Sequence, residues 1–132
     1  MSRLANPGAG DLADRLTILA LKILLGGQAG KDTAHWETER SQLLPKVKSI
    51  TAAPEHWLEL AAVNAALWHA EDDLRALRFR PEPARAQWAG FGVDFKSEVV
   101  ELAFRIQALN DRRAELISLI NINAGDDRGD EK

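Results

Sequence analysis

At 132 residues, the chain has the length of one ordinary domain, enough to bury a core but too short for two independent ones. Hydrophobic residues at 45% and charged residues at 28% exclude the disordered and membrane classes. The net charge of -3 argues against nucleic acid or an anionic membrane as a partner. Zero cysteines leave no disulfide framework or thiolate metal site and suit a reducing compartment.

The chain opens on Asn6-Pro7-Gly8-Ala9-Gly10, a turn-rich arm over residues 1–10. Leu12, Leu16, Leu19 and Ile23 then recur at helical spacing, which predicts a first helix from about Asp11 to Leu25, stopped by Gly26-Gly27. Ile18, Leu21, Leu24 and Leu25 widen its apolar face beyond what one neighbour can cover. The longest apolar run, Leu16 to Leu25, contains Thr17 and Lys22 and is about half of a bilayer span. With Asp11, Asp14 and Arg15 ahead of it, that run is no secretion signal either, and the expected location is the cytoplasm.

Asp32 or Thr33 can cap a second helix whose face is Trp36, Leu43, Val47 and Ile50, kinked or broken near Pro45 because proline removes a backbone donor and crowds the preceding turn. Pro54 suits the first turn of a third helix, with Glu55 beside the positive end of its dipole. The face of this helix is Trp57, Leu60, Ala61, Leu67, Trp68 and Leu74. Residues 79 to 93, with Arg80-Pro81-Glu82-Pro83, Gly90 and Gly92, read as a loop that Trp88 and Phe91 pin to the core. Asp94 caps a fourth helix with Val99, Leu102, Ala103, Ile106, Leu109, Leu116, Ile117 and Ile120 on one face. The expected architecture is an all-α helical bundle of about four helices: a single helical domain over 11–122, followed by a flexible acidic tail over 123–132.

Polar residues interrupt the apolar seams. Trp57, Asn64, Glu71 and Arg78 occupy equivalent positions in successive sevens of helix three, and Val99, Ile106, Arg113 and Ile120 do so in helix four. An isolated buried charge costs several kcal/mol, so Glu71 and Arg113 are expected to be neighbours. A register-fixing network explains such groups, and so does a pocket in which Asn64, Glu71, Arg75, Asn110 and Arg113 converge on a small anion.

Metal and cofactor chemistry find no foothold. Glu71-Asp72-Asp73 points its carboxylates about 100° apart, and His35, His56 and His69 share no ligand spacing. Arg75, Arg78, Arg80 and Arg85 complement the negative end of helix three, with Glu82 breaking the cluster. Neither a nucleophile motif nor a phosphate loop is present; Gly26-Gly27-Gln28-Ala29-Gly30-Lys31 lacks the required spacing and strand. No catalytic residue is assigned.

Three segments carry a resemblance: Gly10-Asp11-Leu12-Ala13-Asp14-Arg15-Leu16-Thr17-Ile18-Leu19; Asn64-Ala65-Ala66-Leu67-Trp68-His69-Ala70-Glu71-Asp72; and Asn110-Asp111-Arg112-Arg113-Ala114. They resemble a family of small bacterial and phage proteins of unknown function. The chain departs from it at Ala20, where the family tends to carry glutamate, and in extra residues between Pro7 and Asp11. The resemblance implies no activity, substrate or cofactor. Its recurring polar positions fall on Asp14, Lys22, Asn64, Glu71, Asn110 and Arg113, adding Asp14 and Lys22 of helix one to the seam.

Two functions follow as expectations. The first is a non-catalytic helical module that forms a homo-oligomer or docks on a protein partner, around a buried polar network. The second is a small ligand-binding or enzymatic bundle that holds an anionic metabolite through Asp14, Lys22, Asn64, Glu71, Arg75, Asn110 and Arg113.

Overall fold

The computed structural model describes residues 8–47, 53–78 and 94–125. The expectations for residues 79–93, including Arg80, Arg85, Trp88 and Phe91, lie outside them, as do Ile50, the Arg78 side chain and most of both termini. The described residues form an all-α structure of four α-helices and one 3-10 turn: α1 (Ala9–Gln28), α2 (Ala34–Leu43), the 3-10 turn (Leu44–Lys46), α3 (Pro54–Arg78) and α4 (Asp94–Asn123). No helix among them is long and apolar enough to cross a membrane.

The break in the second element falls where proline puts it. α2 ends at Leu43, and Leu44-Pro45-Lys46 tightens into the 3-10 turn. Thr33 is the N-cap of α2 without a side-chain cap bond, and Asp32, one residue ahead, accepts from the Ala34 amide at 3.0 Å. α1 differs from expectation, because it runs through Gly26 and Gly27 instead of stopping there. Gly26 is buried, and a Cβ there would stand 2.8 Å from the Trp36 ring, so this glycine serves close packing. Gly30 is the residue that ends the helix. With φ at 79°, it lets the Lys31 amide bond the Gly26 carbonyl and its own amide bond that of Gly27, a Schellman closure.

The chain divides into two compact units, residues 1–65 with 113–132 and residues 66–112. In the first, Leu12, Leu19 and Leu43 form a core cluster against which Leu16, Trp36 and Val47 pack. Leu60, Leu116 and Ile120 of α3 and α4 are also fully buried in this unit. In the second, Ala70, Leu77 and Leu102 pack with Leu74, Val99 and Ile106. Helix-on-helix burial of apolar stripes supplies both cores.

The buried stripe of α3 is Leu60, Val63, Leu67, Ala70 and Leu77, at three-four spacing. Asn64 and Glu71 each follow a stripe residue by one position and so flank it. In α4, Ala103 is exposed, which corrects its assignment to the apolar face; it lies about 100° around the helix from buried Leu102.

Candidate polar network

Within the first unit, α1 and α4 run antiparallel, since Gly10 meets Asn121 and Asp14 meets Arg113. Asp14 is 9% exposed and Asn64 4%, so the carboxylate and amide need partners. Both have them. Arg113 donates from Nε to Asp14 Oδ1 at 2.8 Å and from Nη2 to Oδ2 at 2.6 Å. This is the bidentate geometry for which guanidinium and carboxylate are matched. Asn64 Nδ2 donates to Asp14 Oδ1 at 3.0 Å and to Thr17 Oγ1 at 2.8 Å. Thr17 donates to the Asp14 carbonyl one turn back at 2.9 Å, which orients its hydroxyl oxygen toward Asn64. The circuit ties three helices together at one level.

A carboxylate partner of Arg113 is Asp14 of α1, and Glu71, expected beside Arg113, is an exposed residue of the second unit. Asn64 and Glu71 sit on the same flank of α3, but α1 covers that flank at Asn64. Of the seven seam candidates, Asp14, Asn64 and Arg113 come together. Lys22 lies elsewhere in the same unit, its Nζ 5.8 Å from the centroid of the Trp36 ring, within cation–π range. Glu71, Arg75 and Asn110 belong to the second unit and are exposed. Arg75 reaches Asp72 at 3.0 Å across the helix surface.

Several polar contacts carry no local sequence signal. Gly8, the N-cap of α1, provides no side-chain hydrogen bond. Asn121 of α4 does the capping instead, its Oδ1 accepting from the buried Gly10 amide at 2.6 Å and satisfying one of the helix's orphan donors. Arg15 and Glu39 form a second bidentate pair, with both contacts at 2.6 Å, clamping α2 to α1. A glycine in a helical first turn was the one cue available for Asn121; Arg15 and Glu39, 24 positions apart, offered none.

The Arg15 hydrogen bond holds the Glu39 carboxyl below its ordinary range, and Glu39 in turn raises Arg15. A carboxylate depressed by folding stabilises fully above its unfolded pKa and loses that contribution as pH falls through the folded one. Glu39→Gln is therefore expected to lower stability at neutral pH, with the deficit closing in acid below the usual carboxylate range. Both side chains are about a third exposed, which limits the effect to about 1 kcal/mol or less. Urea denaturation of both proteins across the acid range measures it; a deficit constant with pH would show that the charge on Glu39 is not what matters.

Both Asp14 carboxylate oxygens accept hydrogen bonds, and the Asn64 amide nitrogen is spent on Asp14 and Thr17. No group of three or more His, Cys, Asp or Glu among the described residues is arranged to hold a metal ion. Comparison with models of protein families, with curated proteins and with solved structures finds no match to this chain.

Proposed function

We propose that the chain is a non-catalytic helical module that docks on another polypeptide. The observation that carries this reading is where large apolar side chains remain outside: Phe104 is 68% exposed and Val100 51%, one turn apart on α4. Neighbouring exposed apolar groups on one helix face mark a contact surface more often than isolated ones do. On this reading Asp14, Asn64 and Arg113, three of the positions in the resemblance to the bacterial and phage family, hold helix register rather than a ligand.

The competing anion site has one decisive test. Thermal denaturation with millimolar phosphate, malonate or citrate is expected to match chloride at equal ionic strength. A rise of several degrees with one of these anions that disappears in Arg113→Met would overturn the docking reading in favour of a ligand site.

A further inference from the structure

The geometry points to a second copy of this chain as the partner, paired antiparallel along the outer face of α4 with Phe104 near the two-fold axis. This deepens the docking reading and rests on it.

The face is built within the second unit. Leu102, with Val99 and Ile106, points into the core of that unit. Val100, Ala103, Phe104, Gln107 and Asp111 recur at three-four spacing on a flank of α4 about 120° around from that core-facing side, and all are exposed. Lys96, Ser97, Val100, Glu101 and Phe104 line a shallow depression there.

Charge selects both the occupant and the direction. Lys96 and Asp111 are exposed, and neither makes an ion pair among the described residues. Each lies about 11 Å along the axis from the midpoint between Ala103 and Phe104, at about 1.5 Å per residue. Antiparallel pairing about that midpoint therefore sets Lys96 of one copy opposite Asp111 of the other, twice by symmetry. The same operation lays Phe104 over Ala103, a large residue over a small one, and Val100 beside Gln107 and Ala108. Parallel pairing in register would oppose Lys96 to Lys96 and Asp111 to Asp111, which like-charge repulsion disfavours.

The contact is a single helix face. It falls below the roughly 800 Å² per partner of standard stable interfaces, so the dimer forms and dissociates reversibly with concentration.

Sedimentation velocity of the full chain, from a few micromolar to about a millimolar, a range suited to a small interface, is expected to show a monomer–dimer shift. Phe104→Glu should leave a monomer throughout, with helical content and urea midpoint unchanged because the ring is exposed. Lys96→Glu and Asp111→Lys should each weaken association roughly threefold to tenfold, the size of two exposed ion pairs turned repulsive. Together in one chain they should restore it, since the pair is reversed at both ends. A chain monomeric at every concentration, a dimer indifferent to Phe104→Glu, or a double variant no better than the singles would each overturn the inference. None of these outcomes touches the docking reading, which falls only to the Arg113-dependent anion shift.

Discussion

Gly10→Ala is expected to destabilise the protein by about 3 kcal/mol, the upper range for overpacking, although helix propensity alone predicts a gain of about 1 kcal/mol. Gly10 lies in the first turn of α1, and a Cβ there would overlap the Ile117 carbonyl oxygen and stand 2.8 Å from its carbonyl carbon. The obstacle is the backbone of α4, which cannot rotate away as a side chain could. Relief requires α1 and α4 to separate, and separation lengthens the 2.6 Å bond from the Gly10 amide to Asn121. Asn121→Ala removes that acceptor without adding bulk and should cost about 1 to 2 kcal/mol, the range for losing a cap. Urea denaturation of the two variants separates the steric and capping contributions. A Gly10→Ala protein at least as stable as the parent would mean that the two helices do not approach this closely.

That close approach shows which parts of the molecule the sequence could convey. Apolar stripes at helical spacing mark a helix wherever they occur, and Pro45 and Pro54 act through their own backbone geometry, so the four helices and the break after Leu43 could be read directly. The stop of α1 was harder, because three glycines lie within five residues and only tertiary packing tells them apart: Gly26 makes room for the Trp36 ring, whereas Gly30 takes the positive φ. Polar partners were harder still. Periodicity places Asn64 and Glu71 on the same flank of α3, and nothing within α3 says that Asn64 meets α1 or that Glu71 is exposed. Burial cost requires a carboxylate for Arg113, and that Asp14 supplies one depends on how α1 packs. A rule of spacing within a helix does not contain that information.

Asp14 therefore carries the second large effect. Asp14→Ala takes the acceptor from two donors at once, the Arg113 guanidinium and one bond of the Asn64 amide. Breaking a fully buried pair costs roughly 3 to 5 kcal/mol, most of it from the charge left behind. The Arg113 side chain is 33% exposed, and water reaching it should reduce the loss to about 2 to 3 kcal/mol. Arg113→Met leaves the Asp14 carboxylate, at 9% exposure, with the weaker support of a neutral amide, and should cost a similar amount. Asp14→Leu combined with Arg113→Met removes both charges, while Asn64 keeps Thr17 as acceptor at 2.8 Å. The double variant should lose less than the sum of Asp14→Leu and Arg113→Met alone, by at least about 1.5 kcal/mol of coupling. Urea midpoints and slopes for the four proteins of this cycle measure that coupling. Additive losses would show that the two residues act independently and that the network does not hold α1 against α4. Strong coupling with a stable, helical double variant would mean that apolar packing can replace the ion pair in stability. The remaining task of Asp14, Asn64 and Arg113 would then be to select one register of α1 among the alternatives that its broad apolar face allows.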